Sequence, residues 1–234
     1  MCDINEEYRK KLKPHPRSKK VIEEMKKVMT KNDFFSVKYS EGSRNKDVLF
    51  ILSCPGRIEF LRDKPCSGQT GKNLEEFIKI LSEDFPAIFS DSDRYSYNII
   101  NSSEVVHFKM LGNDTEPNEK EIEKQIAVDK QNTSKMQLIL NSKYIFCFGE
   151  KAKIYFENIN TEFNKIYVEC CHLGNQSLNT NNCLNSYIKN ILGENCNQHN
   201  IKIKRRIKYL YELKKAQIEK MVKTVNSSSQ EQKN

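Results

Sequence analysis

The stretch from Val48 to Leu81 constrains the fold most, because a strand, a loop and a helix follow one another there. It opens with VLFIL, an apolar run of strand length, and closes with NLEEFIKIL, whose apolar residues recur at helical spacing. The loop between them breaks at Pro55-Gly56 and again at SGQTG. Glycines permit tight turns, and the first N–H groups of a helix are free to bind anions. We therefore predict a phosphate site formed by Ser67, Gly68, Gln69 and Thr70.

The rest of the chain repeats this alternation of strand and helix. Further strands are predicted at residues 95–100, 144–148 and 165–170, and further helices at 18–30, 119–140, 150–157 and 182–192. Alternation of this kind favours a three-layer α/β/α sandwich with a mostly parallel four-stranded central sheet. In such a sheet, ligands bind outside the carboxyl ends of the strands. The loops expected there contain an Asn, a His, small hydroxyl residues and few carboxylates, which favours an anionic ligand.

Composition limits the class of protein. With 234 residues and 37% apolar content, the chain can bury a sizeable core. The sequence has no apolar run long enough to span a membrane, and the first residues are charged, so we expect a cytoplasmic protein that does not bind membranes. We also expect a monomer. In a reducing compartment the eight cysteines are expected to be buried thiols or ligands rather than disulfides.

The net charge of +8 is concentrated at the two ends of the chain. Residues 1–199 are predicted to form the α/β domain with an N-terminal basic helix, residues 200–223 a basic amphipathic helix, and residues 224–234 a disordered tail. Clustered Lys and Arg favour contact with a polyanion such as DNA, with Lys204, Arg205 and Arg206 on phosphates. The alternative is that these charges simply form solvated helix faces.

Four segments carry a resemblance to a known family. The segment LSCPGRIEFLRDKPCSGQTGKNL resembles, without a gap, the family-four first motif GEAPGxxExxxGxPFxGxxGxLL of the uracil-DNA glycosylase superfamily. The segments YSYNIIN, YIFCFGEKA and HLGNQSLN resemble three later segments of that superfamily, in the correct order. The positions that match the first motif are Pro55, Gly56, Glu59, Pro65, Gly68, Gly71 and Leu74. The resemblance implies a uracil-DNA glycosylase-like fold and excision of a flipped base from DNA.

The resemblance also implies roles for individual residues. His172 matches the motif histidine, which donates a hydrogen bond to the departing base. Asn98 matches the residue whose amide pairs with the polar edge of the base, and Ser177 is expected on phosphate. The alternatives are a buried structural histidine and a turn-forming asparagine.

The chain departs from the motif at the position of the water-activating residue. Ser53-Cys54 stands before Pro55-Gly56, where relatives have a polar pair that includes the water activator. Glu59 and Asp63 are the nearest carboxylates, so we expect one of them to position water or to support the cationic sugar. Cys54 as a nucleophile is a weaker alternative, because no activating group is evident in the sequence.

A second departure concerns the base pocket, which we expect to include Ser53, Cys54, Gly56 and Cys66. Cys66 stands where the family has an aromatic residue that stacks on the base. Loss of that ring removes roughly 1–3 kcal/mol of stacking and frees volume. We therefore expect a base larger than uracil, such as a hypermodified pyrimidine of foreign or phage DNA, while Glu59 in its family role would argue for a smaller base.

No cofactor is expected. The cysteine pattern of the family-four iron–sulfur cluster is absent, and the later Cys and His residues lack a C-x-x-C pair or regular zinc spacing. Those residues are Cys170, Cys171, His172, Cys183, Cys196 and His199.

The sequence thus favours a DNA glycosylase that hydrolyses the N-glycosidic bond of an altered pyrimidine, or of uracil, and leaves an abasic site. Two alternatives stay open. One is a weakly active or inactive DNA-binding member of the same superfamily. The other is an unrelated nucleotide-binding α/β protein, although Asn73 after Gly71-Lys72 breaks the ending of a P-loop.

Overall fold

The computed structural model describes residues 4–29, 35–111, 114–161, 163–193 and 201–231. Its centre is a parallel four-stranded sheet in the order β2-β1-β3-β4. The strands are β1 (Asn45–Leu52), β2 (Tyr97–Asn101), β3 (Tyr144–Phe148) and β4 (Tyr167–Cys170). The prediction of an α/β fold with a parallel four-stranded sheet is confirmed. The VLFIL run lies in β1, between two neighbouring strands, as its continuous apolar character predicts.

Helices connect the strands and cover both faces of the sheet, an arrangement consistent with a three-layer sandwich. They are α1 (Ile4–Leu12), α2 (Lys19–Met29), α3 (Arg57–Arg62), α4 (Gln69–Asp84), α5 (Glu119–Gln131), α6 (Thr133–Asn141), α7 (Glu150–Asn160), α8 (Asn175–Thr180), α9 (Asn182–Leu192) and α10 (Ile203–Glu231). Short 3-10 turns lie at Arg94–Ser96 and Lys109–Leu111.

Two of the differences in bounds between the predicted and the observed elements have a clear local cause. The helix expected at 119–140 is divided at Asn132, whose side chain accepts from the Lys135 backbone N–H at 3.2 Å and so caps α6. The second strand starts at Tyr97 rather than at residue 95, because Arg94–Ser96 forms a 3-10 turn.

The alternation of side chains along the strands divides the core between the two faces. Phe50 and Phe146 pack on one face against α4, α9 and α10, whereas Leu49, Ile51 and Ile145 pack on the other against α5, α6 and α7. A third cluster joins α1, α2 and α3 around Phe35, Phe60 and Val106.

Helix α10 is an integral part of the first face. Ile207, Leu210, Ile218 and Met221 are buried there, and the helix contacts α4, α8, α9 and β4. It continues to Glu231, so residues 224–231 are helical where the sequence favoured a disordered tail. Among the described residues, no helix is both long enough and apolar enough to cross a bilayer.

Candidate functional site

The loop after β4 places His172 at the carboxyl edge of the sheet. Its Nδ1 accepts a hydrogen bond from the Gly174 backbone N–H at 3.0 Å, so the proton of the neutral ring lies on Nε2. Burial lowers the pKa of His172 below its ordinary value, and nearby Glu116 partly offsets this effect. At neutral pH the ring is therefore an uncharged hydrogen-bond donor.

The end of β3 leaves room for this imidazole. Gly149 has a φ of +97°, and a Cβ added there would lie 3.2 Å from the Cβ of His172. Only glycine adopts this backbone conformation without strain. The glycine directly after β3 thus leaves the space that His172 occupies in the loop after β4.

Helix α4 fixes the His172 loop from the other side through Asn73, a contact that the sequence analysis missed. The Asn73 Nδ2 donates to the Leu173 carbonyl at 2.6 Å and to the Asn175 Oδ1 at 2.9 Å, while its Oδ1 accepts from Gln69 at 3.1 Å. The side chain is buried and satisfied. The residue that breaks the P-loop pattern therefore links the first turn of α4 to the His172 loop.

A cavity of about 310 Å³ adjoins His172. Ser177, predicted to bind phosphate, lines it together with Lys214 of α10. The cavity is more acidic than the sequence predicted, because Glu116, Glu150 and Glu169 also line it. Glu169 is paired with Lys153 at 3.2 Å. The lining is therefore net acidic, and the expectation of few carboxylates and an anionic ligand does not hold for this cavity.

The prediction that Asn98 reads a base is wrong in this structure. Asn98 is 1% exposed and lies near the amino end of β2, away from the carboxyl edge. Its Oδ1 accepts from the Gly42 N–H at 2.8 Å, and its Nδ2 donates to the Lys46 carbonyl at 2.8 Å and to the Ser142 Oγ at 3.3 Å. These bonds tie together the starts of β1 and β2 and the end of α6.

Asn101, three residues later, occupies the position that was expected of Asn98. It is the last residue of β2, is 2% exposed, and neither its Oδ1 nor its Nδ2 has a hydrogen-bond partner in the part of the chain that the structure describes. An unpaired buried amide costs about 1–3 kcal/mol, so such groups typically face a ligand or water. The strand end near Asn101 was the available signal in the sequence.

A buried ionic cluster holds the backbone of Asn101. Lys135 is fully buried, and its Nζ lies 3.3 Å from the Asn101 carbonyl and 2.7 Å from Asp129 Oδ2. Tyr155 donates to the same carboxylate at 2.7 Å, and Glu104 lies 3.4 Å from Lys135. Because breaking such a network leaves a buried charge unpaired, it favours a single position for the end of β2.

Glu59 is structural rather than available to activate water. Its two carboxylate oxygens accept from the backbone N–H groups of Gly56 at 2.7 Å and Cys66 at 2.5 Å, and so join the two breaks of the loop after β1. Burial raises the pKa of Glu59 to about 7, although both backbone donors and Arg94 favour the ionised form.

Two other predicted site residues lie elsewhere. Asp63 is exposed at the end of α3, where it pairs with Arg9 of α1 at 2.6 Å. Cys66 is fully buried in the core cluster beneath α4, so its thiol presents no surface to a ligand and the argument for an enlarged pocket is lost. Its carbonyl lies 1.6 Å from the Cβ that any side chain at Gly71 would need, which explains the second glycine of SGQTG.

The residues directly after β1 shape the edge of the sheet. The Ser53 carbonyl accepts from the Ser102 Oγ at 2.6 Å and from the Ser103 N–H at 3.0 Å, which fixes the loop after β2. The Cys54 thiol lies 3.7 Å from the Thr115 carbonyl, and burial raises its pKa to about 12. Cys54 is therefore a thiol at neutral pH, which disfavours the nucleophile alternative. The Gly56 N–H donates to the Glu59 carboxylate and is therefore not free to bind a base.

The residues of the predicted phosphate site lie at the start of α4. Gly68 is the N-cap residue, and Gln69 and Thr70 begin the helix. They line a second cavity, of about 350 Å³, with Arg57 and Lys109. Ser67 itself is buried, with its Oγ 3.5 Å from the Ile58 carbonyl. The free N–H groups of this turn and the two cations suit an anion.

The three basic residues predicted on α10 have different environments. Lys204 is exposed, with its Nζ 2.9 Å from Glu76, and Arg205 is exposed and bonds the Tyr209 hydroxyl at 3.1 Å. Arg206 is fully buried and donates to the Leu178 carbonyl at 3.0 Å and to Asn185 at 2.8 Å. Arg206 is therefore a structural residue and does not bind phosphate.

Among the described residues, no three His, Cys, Asp or Glu side chains are arranged to hold a metal ion. Cys196 and His199 of the zinc candidates lie outside the described residues.

Neither a scan against protein-family models nor a search of the curated proteins finds a match to this chain. We therefore infer function from the geometry described above and from the motif resemblance.

Proposed function

We propose that the protein is a DNA glycosylase that hydrolyses the N-glycosidic bond of a flipped-out pyrimidine and leaves an abasic site. The observation that carries the proposal is the state of His172: a neutral imidazole with its proton on Nε2, beside a cavity at the carboxyl edge of the sheet. A neutral donor can stabilise the negative charge that develops on a base as its bond to the sugar breaks. Removal of one such donor from an enzyme typically lowers the rate by about 10²–10³.

Asn101 supports the proposal, because a base must be recognised as well as released. Its buried amide offers both a donor and an acceptor, which is the pattern needed to pair with the polar edge of a pyrimidine. We assign to Asn101 the role that the motif resemblance gave to Asn98.

Binding of the DNA backbone is assigned to three sites. Gln69 and Thr70 offer the first turn of α4, Ser177 and Lys214 line the His172 cavity, and Lys204 and Arg205 extend the basic surface. Phosphates on either side of a flipped nucleotide could contact the first two sites. Such contacts orient the DNA without reading its sequence.

The test is release of the base from defined DNA. Purified protein is incubated with single- and double-stranded oligonucleotides that contain uracil, thymine, cytosine or a bulky 5-substituted pyrimidine, and abasic sites are detected by alkaline cleavage on a gel. We expect cleavage of at least one altered pyrimidine and none of the normal bases. Absence of cleavage from every DNA, with DNA still bound, would favour the inactive DNA-binding alternative, which the Ser53-Cys54 departure supports.

A further inference from the structure

Hydrolysis of a glycosidic bond is accelerated by a group that takes a proton from water, and the residues after β1 do not supply one. Glu59 is occupied by two backbone donors, and Asp63 is paired with Arg9 at the end of α3. Cys54 holds its proton at neutral pH. Any such group must therefore come from another loop of the carboxyl edge.

We propose that Glu116, on the loop between β2 and α5, is the general base that activates water in the reaction proposed above. Glu116 lines the same 310 Å³ cavity as His172 and Ser177. It is exposed and has no ion-pair partner among the described residues, so its carboxylate can bind water. The sequence analysis gave this residue no role.

The loop that carries Glu116 is held on both sides. Before it, the His107 Nδ1 donates to the Asp114 carbonyl at 3.0 Å, and the Cys54 thiol approaches the Thr115 carbonyl at 3.7 Å. After it, Asn118 and Glu121 form a reciprocal capping box at the start of α5. These contacts explain what Cys54 and the buried His107 do: they fix the backbone next to Glu116.

The charge of Glu116 acts on groups of both loops. The charge of Glu116 raises the pKa of His172 against the effect of burial, and it also raises the pKa of Cys54. Glu116 therefore interacts with the loop after β1 and with the loop after β4.

The step balances without any further reactant. The oxygen of water forms a bond to C1′ of the sugar as the C1′–N bond breaks, and the electron pair of that bond leaves with the base. His172 Nε2–H donates a hydrogen bond to the base anion, and Glu116 accepts the proton that water loses. The base then takes a proton from solvent, and Glu116 returns its own to solvent.

The direct test is Glu116→Gln, which keeps the size of the side chain and removes the base. Because general bases typically contribute about 10²–10⁴-fold, we expect single-turnover base release to fall by at least about 10²-fold with DNA affinity unchanged. Glu119→Gln is the matched control, since Glu119 is exposed in the first turn of α5 and does not line the cavity. Release by Glu116→Gln at the wild-type rate would overturn the inference and leave the proposed function intact.

A second measurement does not need turnover. The pKa of His172, followed by NMR, should be lower in Glu116→Gln than in the wild type, because a negative charge that favours the imidazolium is removed; Glu150, Glu169 and Lys214, which also face the cavity, are unchanged. An unchanged pKa would place Glu116 away from His172 and overturn the inference. If the pKa shifts but wild-type protein releases no base, the geometry is supported, and both the proposed reaction and the role of Glu116 as its base fail.

Discussion

Each end of the central sheet contains a buried asparagine of β2, and the two asparagines differ in their hydrogen bonding. At the amino end, Asn98 uses both ends of its amide in three hydrogen bonds, and nearby Lys165 donates to the Ile139 carbonyl at 3.1 Å and to the Ser142 carbonyl at 2.7 Å. At the carboxyl end, Asn101 is equally buried and has no partner among the described residues. The amino end is thus a satisfied structural junction, whereas the carboxyl end has unpaired polar groups of the kind that bind a ligand or water.

The largest effect on stability should come from Asn98→Ala. The substitution removes three hydrogen bonds and leaves the Gly42 N–H and the Lys46 carbonyl without this partner in the core. We expect the free energy of unfolding to fall by about 3 kcal/mol, measured by urea denaturation. Asn101→Ala is the matched control: it should change stability by less than about 1 kcal/mol but abolish recognition of the base. A larger loss of stability in Asn101→Ala would contradict the contrast between the two ends.

We expect the free energy of unfolding to depend on pH through Glu59, in the loop that follows the carboxyl end of β1. The pKa of buried Glu59 is about 7 in the folded protein, against an ordinary value of 4.5. Because the folded pKa is the higher one, the stability linked to protonation is fully present below about pH 4.5 and is lost as the pH rises through about 7. The loss should be about 3 kcal/mol.

Glu59→Gln separates this effect from all other titrations. The difference in unfolding free energy between the wild type and the variant, measured by denaturant titration from about pH 5 to about pH 8, should change in favour of the variant as the pH rises. A difference that stays constant with pH would show that the Glu59 pKa is the same in the folded and unfolded states.

Sequence periodicity predicted the inner strands β1 and β3 well, because a parallel strand covered on both faces is typically apolar along its length. VLFIL and YIFCF are runs of this kind, and they indicate strands that are covered by helices on both faces of the sheet. The break at SGQTG was predicted for a similar reason, since only glycine allows the close approach of Gly71 to Cys66, whereas helix α3 within the loop was not predicted. The motif predicted a site role for His172, and the structure adds its tautomer and its place beside a cavity.

The remaining site residues depend on contacts that sequence does not encode locally. A strand-end asparagine can be structural or functional, and three positions along β2 separate Asn98 from Asn101. Glu116 and Asn73 acquire their positions from residues distant in the chain, such as Cys54 and Leu173. The basic run of α10 looks uniform in sequence, but packing buries Arg206 alone of its three adjacent cations.

The smallest effects are expected on α10, outside the sheet. Lys204→Ala and Arg205→Ala should each weaken DNA binding modestly and reduce the slope of log affinity against log salt by about one, with stability unchanged. Arg206→Ala should instead lower stability, because its bonds to Leu178 and Asn185 are buried. Fluorescence anisotropy at several salt concentrations measures the first effect. An unchanged slope in both exposed variants would exclude this helix from the DNA-binding surface.

The central claim is that the carboxyl edge releases a base with the help of His172. The most direct measurement is single-turnover abasic-site formation by the wild type and by His172→Ala on the best DNA of the panel, with DNA affinity measured in parallel. We predict a rate about 10²–10³-fold lower in the variant and a nearly unchanged dissociation constant, because the donor acts on charge that develops only in the transition state. An equal rate in both proteins would contradict the account.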